Sequence, residues 1–190
     1  NNKCYLINRD GTGLKELVVG RAKCISPNGL TFAYSTYENG GEVRILDIEH
    51  KNLPKIINVP HDRSLNLVSL KFTSDGKKLF YCLEKYAEPV TRCYLKEIDS
   101  LEPATQVAPT LNMFDVDMAP DGKKILYTNA ANNLCIANIN GTEAKILDKT
   151  SVFKNPIWSR DGKRVLVQAI KSTQIKELNQ DQTGFVKSLE

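Results

Sequence analysis

A short turn motif occurs four times in this chain and constrains its fold more than any other feature of the sequence. Each copy has an apolar residue, a turn that ends in Asp-Gly or Asn-Gly, and a run of mainly apolar residues. The copies occupy residues 25–34, 72–81, 118–127 and 158–167. Asp-Gly or Asn-Gly between two apolar runs is the strongest short signal for a β-hairpin, because glycine adopts the positive φ that the turn needs. The motif therefore predicts four hairpins of similar geometry.

The strand after each turn is apolar at successive positions and not only at alternate ones. Residues two apart share one face of a strand. The four strands place these residues on one face: Phe32 and Tyr34, Leu79 and Tyr81, Ile125 and Tyr127, Val165 and Val167. The residues between them are also apolar: Ala33, Phe80, Leu126 and Leu166. A strand that is apolar on both faces lies between two layers, so we expect sheets to cover all four strands on both sides.

The spacing of the turns indicates how the hairpins are assembled. Asn28, Asp75, Asp121 and Asp161 are separated by 47, 46 and 40 residues, and two more short strand patterns follow each hairpin. Units of four strands repeated at about this length are typical of β-propeller blades, whose stacking creates the core. We predict a single all-β domain of four-stranded antiparallel blades over residues 1–190. Its parts are a half blade at 3–19 and complete blades at 22–60, 66–108, 112–148 and 154–190.

Several segments need separate assignments. Residues 36–41 and 84–91 lengthen the first two units, and we expect them to form loops between the second and third strands. Residues 174–178 fit either a strand or a frayed C-terminal helix. We favour the strand because residues 181–185 resemble the turn at residues 10–14.

The leading half blade has only a third and a fourth strand, and it lacks an obvious inner partner. Three interpretations remain open. The chain is a piece of a larger propeller, it closes a small irregular ring, or it borrows strands from a second copy. Unpaired edge strands are templates for pairing, so self-association through these edges is expected.

The chain has five cysteines, so at least one is not in an intramolecular disulfide. Cys4, Cys93 and Cys135 occupy the same place in three repeats, while Cys24 and Cys82 lie on a first and a second strand. Equivalent positions in neighbouring repeats are too far apart for a disulfide. We therefore expect the cysteines to be small buried apolar residues, and their spacing fits no zinc motif.

Charge and hydropathy exclude several classes of function. The net charge is +4, but the basic residues are spread over every repeat, which argues against a nucleic-acid or anionic-lipid face. No apolar run approaches the roughly 20 residues that span a bilayer, so we expect no membrane insertion.

Two short patterns in this chain resemble the TolB-type propeller repeat. They are the turn at residues 118–125 (MAPDGKKI) and the Asp-Gly-Thr-Gly at residues 10–13. The repeat is also similar to those in the propeller domains of the prolyl oligopeptidase family and of tricorn-like proteases. Resemblance to TolB implies a protein of the periplasm, or more broadly of the cell surface or extracellular space, that binds other envelope proteins.

No catalytic constellation is evident in the sequence. His50 and His61 are the two histidines. His61, Asp62 and Ser64 are adjacent in one loop and lack a nucleophile elbow, so we predict that the chain is not an enzyme.

Asp115 and Asp117 alternate along a first strand, which places both carboxylates on one face, toward the channel. Two carboxylates are too few for a calcium site, and we expect neither a metal nor a cofactor.

The favoured function is a non-catalytic scaffold that binds a protein or peptide. Blade loops and the channel mouth are the surfaces that a propeller presents to a partner. The predicted contact face comprises an inter-blade loop and the start of a first strand: His61, Asp62, Arg63, Asn112, Asp115 and Asp117. The alternatives are a propeller that gates substrate for a larger prolyl-oligopeptidase-like or tricorn-like hydrolase, and a propeller that binds a sugar or a metal.

Overall fold

The computed structural model describes residues 3–36, 42–49, 53–57, 59, 65–85, 88–169, 172–178 and 185–189. Within these ranges the chain forms one two-stranded sheet, four four-stranded antiparallel sheets and no helix. This confirms the predicted all-β propeller of four complete blades and an N-terminal half blade. The C-terminal segments at 172–178 and 185–189 are strands, as favoured over a helix.

The half blade and the first two blades follow one another along the chain. The half blade pairs β1 (Lys3–Leu6) with β2 (Lys15–Val19). Blade 1 consists of β3 (Arg21–Ile25), β4 (Thr31–Ser35), β5 (Val43–Asp47) and β6 (Lys55–Ile57). Blade 2 consists of β7 (Leu65–Phe72), β8 (Lys78–Lys85), β9 (Glu88–Glu97) and β10 (Thr105–Val107).

The last two blades have the same strand order. Blade 3 consists of β11 (Phe114–Met118), β12 (Lys124–Thr128), β13 (Leu134–Asn138) and β14 (Lys145–Asp148). Blade 4 consists of β15 (Phe153–Trp158), β16 (Arg164–Ala169), β17 (Ser172–Leu178) and β18 (Phe185–Leu189). In every complete blade each strand pairs with the next one in sequence.

The four repeated turns have one geometry. In each, the glycine N–H donates a 2.9 Å hydrogen bond to the carbonyl of the residue three positions earlier. The four glycines, with φ between 69° and 75°, are Gly29, Gly76, Gly122 and Gly162. The left-handed conformation is the reason that glycine closes every copy of the motif.

The core lies between successive blades, because each sheet buries its faces against its neighbours. Leu79, Phe80 and Tyr81 on β8 are fully buried, and β4 and β12 are likewise buried on both faces. These three strands confirm the prediction that the strand after each turn is buried on both faces. The expectation was wrong for β16, where Leu166 is 39% exposed between the buried Val165 and Val167. Among the described residues blade 4 packs against blade 3 on one face only, which leaves the other face of β16 open.

The loop expected at residues 84–91 was wrong for most of its length. Strands β8 and β9 continue through this segment, with Glu84 paired to Thr91 and Lys85 to Glu88. The pairs are offset, which leaves Pro89 and Val90 outside the ladder. Proline is tolerated at such a bulge because no ladder hydrogen bond needs its missing N–H.

The expectation that the cysteines are only small buried residues was wrong for two of them. Cys82 on β8 and Cys93 on β9 are directly paired across the hairpin and form a disulfide, with a Cα–Cα distance of 4.0 Å. The bond lies within one blade, between neighbouring strands, and not between equivalent positions of different blades. Cys4, Cys24 and Cys135 are not disulfide-bonded.

Candidate functional site

The first strand of each complete blade contains a β-bulge. The pairing of β3, β7, β11 and β15 with the second strands shifts between Ala22 and Cys24, Leu67 and Ser69, Phe114 and Asp117, and Lys154 and Ile157. A bulge redirects a side chain and ends regular pairing, and it is frequent beside functional sites. The bulges of β7, β11 and β15 contribute residues to one cavity.

Asp117 on β11 joins blades 2, 3 and 4. It is 3% exposed, and its carboxylate contacts the Lys71 ammonium from blade 2. Its Oδ2 accepts a 2.8 Å hydrogen bond from the backbone N–H of Trp158 in blade 4, and its Oδ1 accepts one from Met118. A buried carboxylate with this many donors is satisfied. Its geometry therefore supports a structural role for Asp117.

The cavity beside this carboxylate has a volume of about 580 Å³. Three of its lining residues have a positive φ that is unusual without glycine: Asp115 (43°), Asn132 (57°) and Asn155 (49°). The bulge in β11 interrupts the alternation that was expected to place Asp115 and Asp117 on one face. Both residues nevertheless line this same cavity. We refer to it as the mouth cavity.

The charges of the mouth cavity are mixed. Lys71 and Asp117 pair with each other at its floor. The remaining charged residues in its lining are Glu84, Asp115 and Lys154, so the carboxylates outnumber the cations. Asn132 and Asn155 add amide groups, which can both donate and accept hydrogen bonds. The lining therefore suits a ligand that carries positive charge and backbone-like polar groups.

The other predicted site residues are not brought to this cavity. Asn112 is exposed and does not contribute to the cavity lining, although it lies two residues before β11. His61, Asp62 and Arg63 lie outside the described residues.

Sequence reasoning missed most of the lining, including Lys71 and Glu84. One signal was available for Lys71. It lies four residues before Asp75, as Asp117 lies four residues before Asp121. Opposite charges at the same position of adjacent repeats are a pattern from which the ion pair could have been inferred. Nothing comparable marked Asn132 or Asn155, whose importance depends on backbone conformation.

Among the residues that the structure describes, no group of three or more histidine, cysteine or acidic side chains is placed to hold a metal ion. In the same part of the chain, no helix is long and apolar enough to cross a membrane.

Comparison with known proteins identifies the fold. No family model matches the sequence, and no curated protein matches it. Among solved structures, TolB from Acinetobacter baumannii superposes with a TM-score of 0.73 at 16% identity, over 94% of this chain and 47% of TolB. The chain has a TolB-like β-propeller fold.

Other propellers superpose on the chain at similar identity. Oligogalacturonate lyase from Vibrio parahaemolyticus matches with a TM-score of 0.72 at 15% identity, over 98% of this chain and 58% of the lyase. A prolyl endopeptidase matches with a TM-score of 0.59 at 12% identity, over 89% of this chain and 29% of the peptidase. The chain thus spans about half the length of the first two of these structures, TolB and the lyase. At these identities the similarity establishes a propeller scaffold and does not assign an activity.

Proposed function

We propose that this chain is a non-catalytic, TolB-like scaffold that binds a protein or peptide partner at the mouth cavity. The volume of about 580 Å³ lies within the range of known ligand sites and accommodates a few side chains of an extended segment. Loops and strand ends on a rigid scaffold are common places for recognition.

The observation that carries this proposal is the left-handed backbone conformation of three polar residues around the cavity. Asp115, Asn132 and Asn155 come from different parts of blades 3 and 4, and all three have a positive φ. Non-glycine residues in this conformation are held there by their surroundings and are concentrated at ligand sites. The bulges of β11 and β15 and the turn between β12 and β13 thus bring three polar residues to one cavity.

The chemistry of the lining favours a basic segment of the partner. The Asp115 and Glu84 carboxylates suit the guanidinium or ammonium group of an arginine or lysine. The amides of Asn132 and Asn155 suit the backbone of an extended peptide. We therefore expect the partner to present a basic side chain within an otherwise polar strand or loop.

We also propose that the protein functions in the periplasm, at the cell surface or outside the cell. The Cys82–Cys93 disulfide supports this location, because such bonds persist in oxidising compartments and are rare in the reducing cytosol. Resemblance of the repeat to TolB suggests the same compartment and a partner among envelope proteins.

Selection from a phage-displayed peptide library tests the proposal. We expect enriched peptides to contain lysine or arginine and to bind the wild-type protein more tightly than an Asp115→Asn/Glu84→Gln variant. Leu101→Lys, a change on a loop residue that does not line the cavity, is the matched control and retains binding. Equal binding of the selected peptides to the wild type and the double variant would reject this cavity as the contact site.

Residues 61–63, which the sequence predicts to form an inter-blade loop, are the second part of the proposed contact face. Substitution of His61 and Arg63 by alanine is expected to weaken partner capture without lowering the melting temperature. Unchanged capture would remove this loop from the contact face and leave the mouth cavity as the remaining site.

A second candidate function is a gating propeller for a hydrolase elsewhere in a longer polypeptide. The match to a prolyl endopeptidase favours it. A hydrolase segment with its own nucleophile in the same reading frame would support this alternative.

A sugar- or metal-binding propeller is the third candidate, and the similarity to a manganese-bound oligogalacturonate lyase favours it. A rise in melting temperature with added calcium or manganese would support its metal form.

A further inference from the structure

A second cavity, of about 660 Å³, lies at the hairpin end of the first strands, and we call it the turn cavity. It is built from equivalent residues of all four complete blades. The last residue of each first strand contributes an apolar side chain, and these are Ile25, Phe72, Met118 and Trp158. Two residues further along, the turns contribute an outer ring of Pro27, Ser74, Pro120 and Arg160. Lys71 lines both cavities, so it lies between them.

The charges in the lining of the turn cavity have one sign. Lys71 and Arg160 contribute positive charge, and no acidic residue is among the described residues that line the cavity. The Lys71 side chain is 40% exposed, although Asp117 pairs with it from the side of the mouth cavity. An anion in the turn cavity would therefore meet the Arg160 guanidinium and the exposed part of the Lys71 side chain, whose ammonium is shared with Asp117.

The aspartates of the neighbouring turns do not cancel this charge in the cavity lining. Asp75 accepts hydrogen bonds from the Thr73 hydroxyl at 2.5 Å and the Lys77 backbone N–H at 2.9 Å. Asp161 accepts equivalent bonds from Ser159 and Lys163. These carboxylates are bound to their own turns, and neither residue lines the cavity.

The apolar wall also includes an unsatisfied donor. Trp158 is 6% exposed, and its indole N–H has no hydrogen-bond partner among the described residues. Burying such a donor without an acceptor is unfavourable. The wall therefore combines aromatic and aliphatic surface with a buried N–H that lacks an acceptor, and two cationic side chains line the same cavity.

We propose that the turn cavity binds an apolar carboxylate. The hydrocarbon or aromatic body of the ligand packs against Phe72, Met118 and Trp158, and the carboxylate lies toward Lys71 and Arg160. A free carboxylic acid and the C-terminus of a peptide that ends in an apolar residue share this chemistry. This site is separate from the mouth cavity and does not depend on the proposed function.

Trp158 is the only tryptophan of the chain, so its fluorescence reports directly on the turn cavity. The probes are phenylbutyrate, its neutral amide, and N-acetyl-alanyl-phenylalanine with either a free or an amidated C-terminus. We expect a saturable change in emission with the acids and a much weaker response to the amides. A response to phenylbutyrate alone would identify a free acid as the ligand, and a response to the peptide alone would identify a C-terminus. Equal responses to acids and amides, or no response to any probe, would overturn the proposal.

Two variants test the role of charge. Arg160→Gln should weaken binding of the acid by about two- to fivefold. Ser74→Glu, at an exposed position in the outer ring, should weaken it further by placing a carboxylate in the cavity lining. Arg9→Gln, an exposed position outside the cavity, is the matched control and should bind as the wild type does. Unaltered affinity in both Arg160→Gln and Ser74→Glu would contradict the proposal.

Discussion

Asp117 on β11 accepts a hydrogen bond from the backbone N–H of Trp158, 41 residues away on β15, at 2.8 Å. The same carboxylate pairs with Lys71 on β7. Through one buried side chain, blade 3 is therefore connected to the blades on both of its sides. The Lys71 side chain of this connection lines both cavities, and Asp117 is a structural counterpart of Asp115, which lines the mouth cavity.

Asp117→Asn is expected to destabilise the protein by about 1–3 kcal/mol, because an amide group replaces one of two oxygens that face buried donors. Asp115→Asn is the matched control, since asparagine tolerates a positive φ and Asp115 is only partly buried. Its stability should remain close to that of the wild type. Urea unfolding at neutral pH measures both variants. Equal stability of the two variants would contradict the structural assignment of Asp117.

The repeated turns predict a sensitivity to acid. The hydrogen bond from the Thr73 hydroxyl, followed by that from the Lys77 N–H, lowers the pKa of Asp75 below its ordinary value of 3.8. The Ser159 hydroxyl and the Lys163 N–H likewise lower the pKa of Asp161. A lowered folded-state pKa means that each ionised carboxylate stabilises the turn above the ordinary value. This contribution is lost as the pH falls through the folded-state pKa.

Asn28 shows how to remove this acid sensitivity while keeping the turn. Its Oδ1 accepts hydrogen bonds from the Ser26 hydroxyl at 2.7 Å and from the Leu30 N–H at 3.1 Å. We therefore expect Asp75→Asn/Asp161→Asn to retain the turns at pH 7 and to lose less stability on acidification than the wild type. Urea midpoints at neutral and acidic pH test this expectation. A parallel loss in both proteins would show that these carboxylates do not drive the acid response.

The Cys82–Cys93 disulfide closes a separation of 11 residues across the β8–β9 hairpin. Reduction should lower the free energy of unfolding by about 2–4 kcal/mol. Guanidinium unfolding with and without a reductant measures this difference. Mass spectrometry should show that the intact oxidised protein is lighter than the reduced protein by two hydrogen atoms. Cys24→Ala, which leaves this bond intact, should remain sensitive to reduction. Two free thiols at Cys82 and Cys93 in the oxidised protein would contradict the assignment.

The open edge of the half blade is expected to promote self-association. Among the described residues β1 pairs only with β2, and Tyr5 on β1 is 51% exposed beside an apolar cavity of about 260 Å³. Tyr5→Lys should reduce concentration-dependent association, because a charge on an edge strand opposes pairing with another chain. Leu101→Lys, at a fully exposed loop residue, should leave association unchanged. Sedimentation velocity over a range of concentrations distinguishes these outcomes.

The repeat architecture was predictable because it depends on local chemistry. Asp121 and Gly122 specify a turn, and the apolar residues at 125–127 specify a strand covered on both faces. Neither inference requires knowledge of distant parts of the chain. The prediction that both faces are buried was wrong at Leu166. Burial there depends on which blade lies beside β16, and the pattern of residue types along the strand carries no information about that neighbour.

The site was less predictable because it depends on register and on backbone conformation. The Cys82–Cys93 bond follows from the pairing of β8 with β9, which residue spacing alone does not fix. Asp115 was identified from its strand, but the bulge that shapes its position and the accompanying Asn155 were not. Such bulges change the register by one residue without a characteristic sequence.

Hydrogen–deuterium exchange with a basic peptide selected from the library tests the central claim most directly. If the mouth cavity is the binding site, the peptide should slow exchange in residues 65–72, 114–118 and 153–158 and leave the outer strand at 145–148 unchanged. Protection confined to 145–148 and other outer strands would contradict the assignment of the channel mouth as the binding surface.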